Sequence, residues 1–509
     1  MSASPRAEHT TSMALAEKKK LIKSLRRFDM VFFTICAFVG LDTLGTVASN
    51  GPEGFLWVVV LGAVFVVPYM LLMAEVGSSF TEEGGPYEWV KLAFGRFHGG
   101  IAAILYWITN PLWVGGSLAF IATDAWRANV FGVGHGTFGD YVFKLIFIWI
   151  SIGVAIISLR YGKWIPNLGA LLRIIVLGFF SITVLIYGIK HGVSGFGLSE
   201  LSPTKAVFLS LVPVLLFNYL GFELQNGAAE EMENPQKDVP LAVLRSGVVG
   251  LLLYIIPIFG IILVLPRDKV TGIGGFIDAV TTTFSVYGGA AHTLLVLMTI
   301  CFVGTLVTSG AVWMIGSDRI QAVAAYDGAS APYFGVFNAK LGTPVRVNVM
   351  SGIAASAFTI VAIAGFNSGA DSTFTIVLYM AISTTLLSYL WIFPAALKLR
   401  YDFPDVPRPF LHPFGKTGLW VSTILATFWV ALGSFVAVAP GVLERLFGVD
   451  YPFKDNWGVG RMRFEALTLG TLAVIVLLGV VGYIAGAPTR KRGLDVGIPP
   501  DAPPEPVPG

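Results

Sequence analysis

Long apolar stretches recur along nearly the whole chain, and they constrain its fold more than any other feature. A helix needs about 20 apolar residues to cross the roughly 30 Å hydrocarbon core of a bilayer. Runs of that length are separated here only by short polar segments, and 13% of the 509 residues are charged. That is about half of the charged share usual in a soluble domain. The pattern predicts an all-α integral membrane protein with many spans.

The apolar runs predict twelve transmembrane helices, which we number first to twelfth along the chain. Their predicted ranges are 28–49, 54–76, 98–126, 139–159, 165–189, 205–229, 241–265, 291–317, 345–364, 372–397, 417–439 and 464–486.

Loop charge predicts the orientation of these spans. An even number of spans places both termini on one side, and lysine and arginine are concentrated on that side, including residues 18–27 and 490–492. The positive-inside rule therefore predicts a multi-pass protein of the cytoplasmic membrane with both termini in the cytoplasm. The basic N-terminus (1–24) is mostly polar, and residues 497–509 of the Pro-rich tail (488–509) lack an apolar face, which predicts that the two ends are disordered.

Two of the spans contain an interruption at membrane depth. The first carries Gly40-Leu41-Asp42 followed by Thr43, and the sixth carries Gly221-Phe222-Glu223. Glycine costs about 1 kcal/mol inside a helix, and a carboxylate at the centre of a bilayer costs about 2.5–3.5 kcal/mol. A lone glycine in a membrane helix usually reflects close packing. Two glycine–apolar–acid interruptions instead indicate two broken helices.

The spacing of the two breaks predicts an inverted repeat. They lie five spans apart, and an odd number of spans reverses the direction of the chain. We therefore expect a ten-helix core (25–400) made of repeats near 28–189 and 205–397, followed by two peripheral helices (401–487). Unwinding frees backbone N–H and C=O groups that attract anions and cations respectively, which predicts a solute site at the breaks.

The breaks and three loop segments resemble the amino acid–polyamine–organocation (APC) superfamily. One segment contains Glu75, Gly84-Gly85-Pro86-Tyr87 and Phe94-Gly95, and a second contains Glu230-Glu231 and Asn234-Pro235-Gln236-Lys237-Asp238. The third contains Arg319 and Tyr326-Asp327-Gly328. The resemblance covers about residues 25–400. It implies a LeuT-type fold of five plus five inverted helices with two peripheral ones, and a substrate held between the first, third, sixth, eighth and tenth spans.

The breaks and the resemblance together predict the site residues. The predicted substrate-binding residues are Gly40, Leu41, Asp42, Thr43, Trp113, Tyr219, Gly221, Phe222, Glu223 and Thr308. For several candidates, helix packing or a local backbone hydrogen bond explains the residue as well as ligand contact does. They are Trp113, Tyr219, Phe222 and Thr308 of this set, together with Asn110, Pro111, Ser309 and Tyr379.

The first break departs from the family pattern. Most relatives have Gly-Ser-Gly there, with amides that hold a substrate carboxylate, whereas this chain has Leu41 and Asp42 at the second and third positions. An acid at this point repels a carboxylate. The departure is similar to that of glutamate:γ-aminobutyrate exchangers and polyamine carriers within the superfamily.

Arg173 is a cation placed deep in the fifth span. It lies eight residues from the cytoplasmic end of that span, about 12 Å deep at 1.5 Å per residue. We expect Asp42 or Glu223 as its partner and assign charge balance or coupling to these three residues. The resemblance implies that a cation on this helix replaces a sodium ion. Asp42 or Glu223 is then the predicted proton-titrating group, because a guanidinium does not deprotonate in proteins.

The function predicted from the sequence is secondary active transport of an amino acid or a related amine, proton-coupled or by exchange, and independent of sodium. A polyamine or diamine carrier is the alternative. A transport-dead sensor or a membrane-embedded enzyme is disfavoured, since hydrolase and protease motifs are absent and the histidines are scattered. No metal, cofactor or nucleic acid is expected. The expected partners are a small solute, protons and lipid, with a monomer or homodimer as the oligomeric state.

Overall fold

The structure is a computed structural model that describes residues 11–21, 23–161, 164–193, 197–265, 275–365 and 370–495. Within those ranges, ten helical segments are long and apolar enough to cross a membrane. They are Gly51–Ser79, Arg96–Asn129, Phe138–Ile157, Trp164–His191, Pro235–Val264, Gly275–Tyr326, Val345–Ala364, Thr375–Asp402, Gly415–Val438 and Arg461–Ala485.

The other two predicted spans are discontinuous. The first consists of helix Arg27–Phe38 and the short helix Leu44–Ala48, with residues 39–43 non-helical between them. The sixth consists of helix Lys205–Asn218 and the 3-10 helix Leu224–Glu231, separated by residues 219–223. The predicted all-helical membrane fold, with breaks in the first and sixth spans, is thereby confirmed.

Burial separates central spans from peripheral ones. Of the most apolar window of the third span, 94% is buried inside the protein, compared with 17% for the twelfth span. The tenth span is also largely enclosed, at 83%. The third and tenth spans therefore form the centre of the bundle, and the twelfth exposes most of its surface to lipid.

Two spans contain a π-helical turn. Gly62–Val66 interrupts the second span, and Val114–Leu118 interrupts the third, shortly after Pro111. Such turns often occur at functional sites in membrane and soluble helices. Trp113 directly precedes the turn in the third span and Ser117 lies within it, and both side chains donate to Asp42 of the first break.

Shorter helices complete the fold. The helix Gly85–Phe94, between the second and third spans, follows Gly84, whose φ of 83° is left-handed and favours glycine. Other short helices are Ser12–Lys18, Leu198–Leu201, Pro332–Phe334, Val442–Leu446, Phe453–Trp457 and Ala487–Asp495.

The structure differs from the prediction of disorder near the start of the chain. Ser12–Lys18 is helical and docks on the protein, since Thr11 Oγ1 donates to Tyr326 O (2.7 Å) and Phe337 N–H donates to Glu17 Oε2 (2.8 Å). Polar contacts hold this segment without the apolar face on which the prediction depended. At the other end, residues 487–495 form a helix. Residues 1–10 and 496–509 lie outside the described residues.

Candidate functional site

A cavity lies between the two breaks. The first, third, sixth, seventh and eighth spans contribute to its wall. The lining residues are Ala37, Phe38, Gly40, Asp42, Thr109, Asn110, Trp113, Phe217, Asn218, Leu220, Tyr254 and Trp313. Asp42 is the one charged side chain among them. Gly40, Asp42 and Trp113 are thus placed at the cavity, as is Asn110.

Asp42 is buried and held by neutral donors. Trp113 Nε1 donates to Asp42 Oδ2 (2.8 Å), and Ser117 Oγ donates to the same oxygen (3.3 Å). These two residues lie about one helical turn apart, Trp113 directly before the π-helical turn and Ser117 within it. No lysine, arginine or histidine of the described residues forms an ion pair with Asp42. The carboxylate therefore faces the cavity without a cationic partner from the protein.

Aromatic rings surround this carboxylate. Trp113 lies edge-on to Trp313 (6.2 Å between ring centroids) and to Phe217 (6.0 Å). Trp313 Nε1 donates to Ala37 O (3.0 Å), which fixes the ring against the first span. The buried Asn110 Oδ1 has no hydrogen-bond partner in the part of the chain that the structure describes. The cavity thus offers acceptors and ring faces, the groups that bind an ammonium ion.

Tyrosine hydroxyls cap the free amides of both breaks. Gly40 N–H donates to Tyr254 Oη (2.8 Å). In the sixth span, the N–H groups of Gly221 and Phe222 donate to Tyr69 Oη (3.0 and 3.2 Å). Tyr69 lies in the second span and Tyr254 in the seventh, which are equivalent spans in an inverted repeat of five helices. Sequence reasoning missed both residues, because one tyrosine in an apolar span is unremarkable by itself.

Glu223 lies in a separate tyrosine cage. Tyr106 Oη and Tyr389 Oη each donate to Glu223 Oε1 (2.5 Å), and Tyr69 Oη donates to Oε2. The carboxylate is completely buried and does not line the cavity. The structure therefore does not bring Asp42 and Glu223 together in one cavity, although each is next to a break.

Arg173 contacts neutral oxygens. Its Nε–H donates to Val39 O (2.8 Å), and its Nη1 donates to Gly169 O (2.8 Å) and Thr308 Oγ1 (3.3 Å). Its Nη2 donates to Thr305 O (3.1 Å) and to Ser309 Oγ.

These contacts use all five N–H donors of the guanidinium. No carboxylate within the described ranges forms an ion pair with Arg173. The prediction that Asp42 or Glu223 contacts Arg173 is therefore wrong. Oxygens on the first break, the fifth span and the eighth span satisfy the buried cation instead.

The remaining predicted residues support the breaks from outside the cavity lining. Tyr219 Oη donates to Val58 O (2.8 Å), and Phe222 stacks on Phe38 with 4.5 Å between centroids. Leu41 and Thr43 are buried, and Thr43 Oγ1 has no hydrogen-bond partner among the described residues. Thr308 contacts Arg173, as above.

An ion-pair network is centred on Arg319 at the end of the eighth span. Arg319 Nη2 contacts Glu231 Oε1 (2.9 Å) and Arg319 Nε contacts Glu83 Oε1 (3.5 Å), while Lys18 pairs with Glu230. Burial, together with the Glu231 carboxylate, raises the pKa of Glu83 well above its usual range, although Arg319 opposes the shift. The network joins the N-terminal helix, the sixth span and the eighth span beneath the cavity.

The helix Gly85–Phe94 is bound to the end of the eighth span. Tyr87 Oη donates to Asp327 Oδ2 (2.7 Å), and Arg96 Nε lies 3.0 Å from the same oxygen. Burial raises the pKa of Asp327, but Lys91 and Arg96 outweigh it, so that the net pKa lies below its usual range. The described residues contain no group of three or more His, Cys, Asp or Glu side chains that could hold a metal ion.

Comparison with known proteins gives the family. Residues 25–448 match the model of the family described as amino acid permease. The chain belongs to the amino acid permease family. This confirms the predicted resemblance to the APC superfamily, to which that family belongs.

Characterised and uncharacterised relatives agree with this assignment. The chain is 31% identical to a probable agmatine/putrescine antiporter of Lactococcus lactis over 391 residues, which is 75% of this chain and 81% of that protein. It is 27% identical to an uncharacterized transporter of Legionella pneumophila, covering 90% and 96% of the two chains. It is 24% identical to a serine/threonine exchanger of Bacillus subtilis, covering 52% and 60%.

A solved structure supports the fold. The crystal structure of a manganese transporter of Eremococcus coleocola superposes with a TM-score of 0.59 at 12% identity, covering 92% of this chain and 94% of that one. At this identity the likeness concerns the fold alone. Family and fold together confirm the predicted function at the level of a multi-pass membrane transporter for amino acids or related amines.

Proposed function

We propose that this member of the amino acid permease family exchanges small cationic amines across the cytoplasmic membrane by alternating access. One observation carries the proposal: Asp42 is the charged group of the cavity, and no cationic side chain among the described residues pairs with it. A buried carboxylate without a partner is costly. An ammonium group of the substrate removes that cost when it binds, and its binding free energy therefore comes largely from Asp42.

The rest of the cavity favours the same class of solute. The rings of Trp113, Phe217 and Trp313 provide faces for a cation, and Asn110 Oδ1 provides an unused acceptor. A zwitterionic amino acid would place its carboxylate in this cavity, where the lining has no lysine or arginine to receive it. The probable agmatine/putrescine antiporter of Lactococcus lactis supports amines as substrates and exchange as the mode of transport.

Arg173 supports transport without sodium. Its guanidinium binds Val39 O of the first break and Thr305 O of the eighth span, so that a permanent positive charge already joins these two elements. Neutral oxygens of this kind are also suitable ligands for a hard cation. A sodium ion is therefore not needed at this position.

Protons are the proposed coupling ions where transport is not simple exchange. Asp42 and Glu223 are carboxylates near the breaks, and neither forms an ion pair within the described part of the chain. Both termini are proposed to lie in the cytoplasm, as the distribution of lysine and arginine indicates. The protein is proposed to act as a monomer or homodimer.

Counterflow in proteoliposomes tests this function. The purified protein is reconstituted, loaded with unlabelled solute and supplied outside with labelled agmatine, putrescine, γ-aminobutyrate or a panel of amino acids. The assay is run with and without sodium and with and without a pH gradient. Saturable counterflow of agmatine or putrescine, equal in sodium and choline salts, is expected. If the protein prefers amino acids, its substrate is a zwitterion and the proposal of amine transport is wrong. Binding without counterflow would identify a sensor.

A further inference from the structure

Tyr254 joins the two breaks at the wall of the cavity. Its hydroxyl accepts from Gly40 N–H (2.8 Å) and lies within hydrogen-bonding distance of Phe38 O (2.9 Å) and Asn218 O (3.1 Å). The side chain is buried and belongs to the cavity lining. One hydroxyl therefore contacts both the first and the sixth span where each is unwound.

The amide that Tyr254 occupies is a natural site for an anion. Where a membrane helix unwinds, free backbone N–H groups are the donors that bind anionic groups of a substrate. At Gly40 the hydroxyl oxygen of Tyr254 takes this donor instead. The Asp42 carboxylate is also close, because a Cβ built on Gly40 would lie 2.9 Å from Asp42 Oδ1. A carboxylate that approaches Gly40 therefore meets an occupied donor and a negative charge.

The same hydroxyl leaves an acceptor for a cation. A tyrosine O–H has one hydrogen to donate, whereas two carbonyl oxygens, Phe38 O and Asn218 O, lie within reach of Tyr254. At any moment one of these carbonyls does not receive that hydrogen. Tyr254 thus occupies the N–H donor of Gly40, while one of the two carbonyl oxygens keeps a position that can accept from a cation.

We propose that Tyr254 is a specificity-determining residue that excludes substrates with a carboxylate next to the amine. It does so by accepting the hydrogen bond of the Gly40 amide. The protein therefore transports an amine in preference to the amino acid that carries one additional carboxylate. The inference rests on the proposed amine transport and names the feature that separates the two substrate classes. Tyr69 caps Gly221 and Phe222 in the same way in the other repeat.

The test compares substrates that differ by one carboxylate. Counterflow of labelled putrescine is inhibited with two pairs of unlabelled competitors, agmatine and arginine, and putrescine and ornithine. Each inhibition constant is measured in wild type and in Tyr254→Phe. The ratio of inhibition constants within each pair is the readout. Tyr254→Phe frees the Gly40 N–H for a carboxylate oxygen, and one charge-assisted hydrogen bond is worth about tenfold or more in affinity. We expect the preference for the amine to fall by about tenfold, mainly through tighter binding of the amino acid.

Tyr219→Phe is the matched control. Tyr219 lies at the sixth break, but its hydroxyl donates to Val58 O and contacts no amide. The Tyr219→Phe substitution removes a buried hydroxyl from the same region and should leave both ratios of inhibition constants unchanged. Should Tyr254→Phe fail to fold, Tyr254→Met is measured in its place, with ligand-dependent thermal stabilisation of the purified protein as the second readout.

The outcomes distinguish the inference from the function on which it rests. If wild type prefers the amines and Tyr254→Phe leaves both ratios unchanged, or weakens amine and amino acid equally, the role of Tyr254 is refuted while the proposed function stands. If wild type prefers the amino acid of each pair, or takes neither, the proposed function fails and this inference fails with it. A ratio that falls in Tyr254→Phe but not in Tyr219→Phe supports the assignment.

Discussion

Replacing Arg173 by lysine and by methionine separates the charge of this residue from its hydrogen bonds. The guanidinium gives five N–H donors to five neutral oxygens. Val39 O is the acceptor within the first break, and no backbone N–H of the described residues donates to it. Arg173 therefore stabilises the unwound segment as well as supplying a buried cation.

The contacts set the size of the effect. Lysine has three donors, so that Arg173→Lys leaves at least two acceptors without their present partner. A hydrogen bond from a charged donor contributes about 1.5–3 kcal/mol, and two of the acceptors, Thr308 and Ser309, are hydroxyls that can rotate to other partners. We expect a loss of about 3 kcal/mol in the stability of the folded state. Arg173→Met loses more, because no cation then faces Val39 O.

Thermal unfolding of the purified variants and counterflow in sodium and choline salts measure the two contributions. Arg173→Lys is expected to melt at a lower temperature and to transport equally in both salts. Arg173→Met is expected to lose transport in choline and to regain part of it in sodium, which carbonyl and hydroxyl oxygens bind readily. Arg245→Met, at an exposed position of the seventh span, is the control. Wild-type transport by Arg173→Met in choline salt would refute the role given to the cation.

Three further predictions concern the breaks and the ion-pair network around Arg319. Glu223→Gln, in which no proton can bind, should flatten the pH profile of uptake while uptake persists; an unchanged profile would exclude Glu223 as the titrating group. Because the raised pKa of Glu83 makes its charged form unfavourable in the folded protein, this residue favours folding at low pH and loses that contribution as pH rises through the raised value. Glu83→Gln should therefore raise the melting temperature at neutral pH, and a lowered melting temperature would contradict this. Gly221→Ala should cost about 1–2 kcal/mol, because Gly221 has a φ of 122°. Gly153→Ala is the control: Gly153 lies in a helix with open space around the added Cβ, so this change should not lower the melting temperature and should raise it slightly.

The sequence predicts the breaks because their signal is local. Glycine beside an acid is unfavourable twice over at membrane depth, and Gly40-Leu41-Asp42 and Gly221-Phe222-Glu223 both carry that signal. The position of Asp42 at the cavity follows from its place in the first break. The separate location of Glu223 could not be predicted, since side chains in a non-helical segment follow no periodicity from which their direction can be read.

The tyrosine caps and the partners of Arg173 depend on contacts between distant parts of the chain. Tyr69 and Tyr254 sit in ordinary apolar spans, and only the fold brings their hydroxyls to the unwound amides. For Arg173, counting charges in the sequence pointed to the carboxylates. A count of charged residues does not include the backbone oxygens that the break frees. These oxygens and the hydroxyls of the eighth span accept the hydrogen bonds of Arg173 instead.

The most direct measurement is the apparent KM for labelled putrescine or agmatine, by counterflow, in Asp42→Asn compared with wild type. Asparagine keeps the size of the side chain and an oxygen that can accept from Trp113, but removes the negative charge. If Asp42 binds the ammonium group, the lost charge costs about 2 kcal/mol and raises KM roughly thirtyfold. An unchanged KM in a folded, transporting Asp42→Asn protein would contradict the proposed recognition of a cationic amine.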